Sequence, residues 1–238
     1  MNVNAEILMN VTPTETRVAV VENGVLQEIF IERTNHRGLV GNIYKGKIVR
    51  VLPGMQAAFV DIGLERAAFI HVAEIGSGDS STPINQLVHE GQSLVVQVTK
   101  DPINSKGARL TTQLAIPSRY LVYMPGSVHV GISQKIEETA ERDRLKQLVK
   151  DCMESEGLTG EVGFILRTAA EGVGEEEITA DTRYLRRLWR KLEERIKDNS
   201  APSLVYDELP LSLRTIRDLA RPETQKLLID SRETFQKI

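Results

Sequence analysis

Short apolar-rich runs separated by polar turns open the chain. Ala5 to Val11, Arg17 to Val21 and Val25 to Ile31 are rich in β-formers and predict three short antiparallel strands. Thr12-Pro13-Thr14-Glu15 supplies the first turn, and Glu22-Asn23-Gly24 the second, where Asn-Gly is a strong hairpin signal. Residues 34–38, Thr-Asn-His-Arg-Gly, read as a linker. Five more strands are predicted between Gly41 and Gln113, at 42–52, 55–62, 65–72, 92–99 and 108–113, punctuated by Pro53-Gly54 and Gly63. The connection 76–91 carries Gly76, Gly78, Asp79, Ser80, Ser81, Thr82 and Pro83, and reads as a flexible loop ahead of a short turn. Five closely spaced strands of this length suggest a small Greek-key barrel of the OB type.

The period then changes. Tyr120 to Met124 and Gly163 to Arg167 are short apolar strands, and between them Glu137 to Glu154 predicts a helix. Leu145, Leu148, Val149 and Cys152 form its apolar stripe. A second helix is predicted from about Glu175 to Lys197, burying Leu185, Leu188, Trp189, Leu192 and Ile196. Glu175, Glu176 and Glu177 lie in its first turn, where the positive end of the helix dipole favours carboxylates, and Pro202 follows its end. Beyond Tyr206, Leu211 to Leu219 reads as a helix, Lys226 to Asp230 as a strand and Ser231 to Ile238 as a helical start. Because the chain stops inside that last element, it is expected to be the first portion of something longer.

Two phenylalanines break the strand pattern. Phe59 shares its face with Asp61, away from Ala58 and Val60. Phe69 shares its face with Glu65 and His71, away from Ala68, Ile70 and Val72. Strand side chains alternate, so each ring points with the polar set. An exposed aromatic on a basic, twisted sheet is a stacking platform for single-stranded nucleic acid, worth about 1–3 kcal/mol per base. The competing reading shifts the phase by one residue and puts both rings in the core. Alternation alone leaves both open.

Charge sharpens the picture locally. The chain carries a formal charge of −3, which argues against a general polyanion binder, yet residues 36–112 hold eight Lys and Arg against six Asp and Glu, the only net positive block. Lys45, Lys47 and Arg50 add positive charge near the phenylalanines. Hydrophobic content of 41% and charged content of 26% describe an ordinary soluble protein, with aromatics scarce at 5%. Cys152 is the single cysteine, which excludes a disulfide framework and a cysteine zinc cluster within these residues. No secretory leader pattern or membrane-length apolar stretch is present, so the cell interior is the default compartment.

The run NIYKGKIVRVLPGMQAAFVDIG at 42–63, AAFIH at 67–71, NSKGARLTT at 104–112 and RTAAEGVGE at 167–175 together resemble the ribonuclease E/G family, closer to its G branch than to its E branch. The resemblance runs from Ile7 to Ser231 in order. It covers about the first half of the family's catalytic architecture. It implies an α+β chain in which a split RNase H-like subdomain, 1–35 and 206–238 (its second part truncated), receives two insertions. These are an OB-fold RNA-binding β-barrel at 36–113 and a small α+β 5′-sensor subdomain at 114–205. Members of the family are bacterial endoribonucleases that cut single-stranded RNA in messenger decay and ribosomal RNA maturation, so a cytoplasmic location is implied. Their hydrolytic Mg²⁺, held by paired aspartates, and the zinc joining their subunits are implied to lie beyond Ile238, with homo-oligomerisation a property of the longer parent.

By the same resemblance, Phe59, Phe69 and Lys106 match positions that clamp RNA, and Arg167, Thr168, Ser118 and Val122 match a pocket for the 5′-monophosphate. Read from the residues, Arg167 and Thr168 end the strand GFILRT and enter the glycine-bearing turn AAEGVG. An Arg fork beside a hydroxyl and backbone amides suits a terminal phosphate, at roughly 1.5–3 kcal/mol per charge-assisted bond. Without the resemblance, a strand-end Arg in a local ion pair, for instance with Glu171, is the better reading. Lys106, before Gly107 in a loop, reaches phosphate or simply solvent. One departure is notable: after Gly131-Ile132-Ser133, relatives of the E type carry two arginines where this chain has Gln134 and Lys135.

Other candidates carry less. Arg183, Arg186, Arg187, Arg190 and Lys191 form a basic helix stripe that offers charge to RNA, although a solvated face paired with nearby glutamates is the more common explanation. His36, His71, His89 and His129 lack metal-ligand spacing, although His71 stands near the proposed RNA face. Asp61 and Glu65 flank a glycine turn and make a poor metal pair. Cys152 belongs to a core stripe. The expectation is the RNA-engaging, 5′-monophosphate-sensing portion of a single-strand-specific endoribonuclease, inactive by itself. The alternatives are a stand-alone non-catalytic RNA-binding protein and an inert folding fragment.

Overall fold

A computed structural model of the chain describes residues 4–76, 82–158, 160, 162–221 and 224–238. The first half runs β1 (Ala5–Val11), β2 (Glu15–Glu22), β3 (Val25–Arg33), β4 (Ile43–Leu52), β5 (Ala57–Asp61), β6 (Ala68–His71), α1 (Ile84–Leu87), β7 (Ser93–Lys100) and β8 (Arg109–Thr111). It continues through β9 (Ile116–Pro117), β10 (Leu121–Pro125), β11 (Val130–Ile132), α2 (Thr139–Ser155), β12 (Val162–Leu166), α3 (Glu175–Asp198) and β13 (Ser203–Tyr206). The last elements are α4 (Leu211–Asp218), β14 (Thr224–Ile229) and α5 (Arg232–Lys237). Of the connection 76–91, residues 77–81 with Gly78, Asp79, Ser80 and Ser81 lie outside the described residues.

Two compact units emerge: 1–38 with 209–238, and 39–208. The first is built from both chain segments. Its sheet has the order β14-β1-β2-β3, with β14 parallel to β1 and the rest antiparallel. Asn23 and Gly24 both adopt positive φ (51° and 78°), as the two-residue hairpin turn requires. Ile7, Met9 and Val18 meet Leu211 of α4 in its core.

The second unit begins with a barrel. Its strands follow the order β4-β5-β6-β8-β7 and close through β4–β7, with β6 and β8 parallel. Ile48, Ala58, Val60, Ala68, Ile70, Val96, Val98 and Leu110 fill it, and Ile84 of α1 joins them. This is the expected five-stranded OB-type barrel. β13 pairs with β4 outside the ring. That strand was not expected: at four residues it is too short to show a period, and its role is fixed by the distant β4.

A smaller sheet, β11-β12-β10-β9, packs with α2 and α3. Leu145, Val149 and Cys152 of α2, and Ile178, Leu185 and Leu192 of α3, are buried against Ile116, Leu121, Tyr123, Phe164 and Leu166. Ile43 of β4 and Val205 of β13 share that core, so 39–208 forms one unit in which barrel and small sheet are not separated at 113/114. β9 and β11, at two and three residues, were also too short to predict.

Candidate nucleic-acid interface

The phase of the phenylalanines follows from strand alternation and is now settled. Ala58, Val60, Ala68 and Ile70 are fully buried inside the barrel, while Phe59 and Phe69 are half-buried and absent from its core. The core reading of the two rings is therefore excluded. They are direct cross-strand partners, with centroids 6.2 Å apart and planes at 68°. Edge-on contact of this kind holds the two rings against each other on the outside of the barrel.

The row continues on both sides. The β4–β5 register shifts between Ile48 and Arg50, which sets Arg50 opposite Phe59. Arg109 lies opposite Phe69, and Lys100 opposite Arg109. The outer wall thus carries the ladder Arg50, Phe59, Phe69, Arg109, Lys100 across five strands, with all three cations exposed. Cations flanking a pair of aromatics match the alternation of phosphate and base in a single strand. Sequence reading did not single out Arg109 or Lys100, because the parallel β6–β8 pairing that aligns them is a long-range contact. The only local signal was Arg109 standing out of phase with Leu110.

Lys106 is exposed in the loop entering β8, which is tightened by reciprocal main-chain bonds between Ile103 and Lys106 (3.1 and 2.9 Å). Asn104 takes φ +52° there, and its carbonyl accepts from the Arg66 guanidinium. A Cβ at Gly107 would fall on the Ala67 carbonyl oxygen, so only glycine lets this loop lie against the start of β6. Lys45 requires a correction. Its ammonium donates to the carbonyls of Ile196 (2.7 Å) and Asn199 (2.8 Å) and closes the C-terminus of α3. It is not part of the RNA face, since the negative end of the helix dipole holds it elsewhere. His71 Nδ1 accepts from the Ala73 N–H (3.2 Å), and Asp61 accepts from the Gly63 N–H (2.8 Å), so both serve local turns.

The second group of residues gathers at one end of the central strands β10 and β12 of the small sheet. Arg167 follows β12; its N–H donates to the Tyr120 carbonyl (2.8 Å) and its Nη1 to the Ser118 carbonyl (2.5 Å). The Ser118 hydroxyl faces inward, 3% exposed, donating to Asp181 (2.5 Å). That hydroxyl is thus committed within the fold, and the Ser118 carbonyl is the atom that meets Arg167. Val122, half-buried, sits mid-strand opposite Ile165. The hydroxyls of Thr168 and Ser133 lie 2.9 Å apart, which carries the Gly131-Ile132-Ser133 segment, and so Gln134 and Lys135, to the same turn. The turn is also tied to α2: Glu141 accepts from the Gly172 N–H (2.8 Å), and Arg144 donates to the Val173 carbonyl (3.0 Å). Asp181, Glu141 and Arg144 escaped sequence reading because each acts from a helix face that periodicity marks only as polar.

Residues 115–238 match the ribonuclease E/G family, and residues 39–110 match the S1 RNA binding domain. The chain belongs to the ribonuclease E/G family. It is 52% identical to Ribonuclease G of Escherichia coli (strain K12) and 50% identical to Ribonuclease G of Haemophilus influenzae, each alignment covering 98% of this chain and 49% of the relative. Ribonuclease E of Haemophilus influenzae is 37% identical over 97% of this chain and 25% of its own length. The chain spans about half the length of the ribonuclease G relatives it matches.

Two further candidates in this family member have structural explanations. Arg183 and Arg186 on α3 both pair with Glu156, at 2.6 and 3.7 Å, as the solvated-face reading expected. Cys152 is buried and bonded to Thr179 (3.1 Å); burial pushes its thiol pKa up, which fits a core residue and not a nucleophile. Among the described residues, no helix is long and apolar enough to cross a membrane.

Proposed function

We propose that this chain is the RNA-engaging portion of a single-strand-specific bacterial endoribonuclease acting in RNA processing and decay. The observation that carries the reading is the cross-strand ladder of Arg50, Phe59, Phe69, Arg109 and Lys100 on an S1-type barrel. Bases stack on the two rings while the flanking cations take the phosphates, and Lys106 adds a further charge at the β8 end. Endoribonuclease action in the longer protein is supported by membership in the ribonuclease E/G family.

The finer part of the proposal concerns the RNA terminus. Arg167 and Thr168 receive a 5′-monophosphate, in a pocket completed by the main chain of Ser118 and by Val122. A guanidinium held by the Ser118 carbonyl, on a residue whose own N–H is held by the Tyr120 carbonyl, is preorganised for a phosphate oxygen. Holding one RNA at two points raises the local concentration of the strand at the barrel and favours 5′-monophosphorylated substrates. The split unit is proposed to be RNase H-like, the setting cytoplasmic, and the longer protein a homo-oligomer.

Among the described residues, no three His, Cys, Asp or Glu side chains gather where they could hold a metal ion. The Mg²⁺ and the zinc implied by the family are proposed to be held by residues of the longer protein. The test is incubation of the chain with 5′-monophosphorylated single-stranded RNA and Mg²⁺. Retention of RNA without cutting is expected. Efficient cleavage would place a catalytic centre within these residues and overturn the assignment, and failure to retain RNA at low salt would remove the binding role.

A further inference from the structure

We infer that Asp181 is a positioning residue for Arg167, fixing the guanidinium at the 5′-phosphate site through the turn between β9 and β10. The inference rests on the 5′-phosphate reading above and adds to it the residue that builds the pocket. Asp181 lies two turns into α3, and a single carboxylate oxygen, Oδ2, accepts three hydrogen bonds: from the Ser118 hydroxyl (2.5 Å), the Tyr120 N–H (2.9 Å) and the Leu121 N–H (3.1 Å). These three residues make the tight turn between β9 and β10. The turn closes on itself through the Ser118 N–H, which donates to the Leu121 carbonyl (2.8 Å).

Two of the residues that Asp181 grips are the ones that grip Arg167. The Ser118 carbonyl takes the Arg167 Nη1, and the Tyr120 carbonyl takes the Arg167 N–H. Arg167 is thus fastened by its main chain and its side chain to a turn whose own amides are fastened to one carboxylate. An arginine side chain has several soft torsions, and holding the fork before ligand arrives removes the ordering loss that binding would otherwise incur. A charge-assisted bond at each of three donors is a strong clamp for a turn of four residues. Ser118 supplies the hydroxyl that lets the clamp reach beyond the two amides.

A purely structural role would stabilise the packing of α3 without touching RNA discrimination. The two roles separate in a ratio. Affinity is measured by fluorescence anisotropy for one oligoribonucleotide carrying either a 5′-monophosphate or a 5′-hydroxyl, with thermal unfolding recorded for every variant. Wild type is expected to prefer the monophosphate, and Arg167→Ala to bind both RNAs alike. Asp181→Ala is expected to reduce the preference by roughly tenfold while the 5′-hydroxyl affinity holds. Asp181→Asn, which keeps an oxygen for the two amides, is expected to recover part of the preference, and it serves as the folded variant should alanine unfold the chain. If wild type and Arg167→Ala are equally indifferent to the 5′ group, the phosphate reading fails and this inference falls with it. If wild type discriminates, Arg167→Ala does not, and both folded Asp181 variants discriminate as wild type does, the positioning role alone is overturned.

Discussion

Phe59 and Phe69 sit where a strand would ordinarily place polar side chains, paired edge-on across β5 and β6. A T-shaped pair contributes about 0.5–1.5 kcal/mol, whereas each base stacked on a ring contributes about 1–3 kcal/mol. Replacing Phe59 with alanine should therefore weaken single-stranded RNA binding by about five- to a hundredfold, with the smaller loss in stability. Anisotropy and thermal unfolding on the same sample check this, and a large loss of stability with unchanged binding would return the ring to a packing role. Gly107 makes the opposite case. Its replacement by alanine drives a methyl into the Ala67 carbonyl, so the β6–β8 junction must shift. Loss of about 1–3 kcal/mol in urea unfolding is expected, together with weaker RNA binding as Lys106 and Arg109 move.

Between elements, a few long-range hydrogen bonds set the position of the loops. Glu141 on α2 accepts from Arg144 through both oxygens (2.7 Å each) and from the Gly172 N–H, joining the helix to the turn after Arg167. The Arg144 hydrogen bonds pull the Glu141 carboxyl from 4.5 down to about 2, with the Gly172 N–H helping and desolvation opposing. A carboxyl pKa lowered on folding contributes stability that is present above the unfolded value and lost as pH falls through the folded one. The stability difference between wild type and Glu141→Gln should therefore be full near neutral pH and vanish as pH drops from 4.5 to about 2. Because the Arg144 side chain is 42% exposed, solvent screens the pair although Glu141 is mostly covered, and the difference is about 1 kcal/mol at most. Urea unfolding at a series of pH values gives the curve, and a difference that grows on acidification would contradict the assignment. Lys45 shows the same economy at the other end of α3, where one ammonium closes the helix and ties it to β4.

Across the whole molecule, the two units differ in how much core they possess. Among the described residues, four buried apolar side chains anchor the unit formed by 1–38 and 209–238, against two larger clusters in 39–208. Its outer strands also leave Val25, Leu26, Ile29, Ile31 and Leu228 largely exposed, and Phe235 of α5 with them. Fewer buried apolar contacts mean cheaper local opening. Hydrogen exchange is expected to show β1, β2 and β14 losing protection at lower denaturant than β4, β5 and β7. Equal protection throughout would mean that the two units open together.

Much of this architecture was legible because it is local. The five barrel strands, α2 and α3 with their buried stripes, the Asn23-Gly24 hairpin and the outward phase of Phe59 and Phe69 all follow from period, turn chemistry and alternation. The family was legible from four motifs in order. Less visible were β9, β11 and β13, whose two to four residues are too few to display a period.

What no segment could announce was which distant residues meet. The parallel pairing that brings Arg109 beside Phe69, the diversion of Lys45 to a helix end and the grip of Asp181 on the Ser118 turn each join residues far apart in the chain. A residue's type and neighbours determine its face and its propensity. Its partner is decided only when the barrel closes and the helices pack, because hydrogen-bond geometry is set by three-dimensional proximity and not by spacing along the chain.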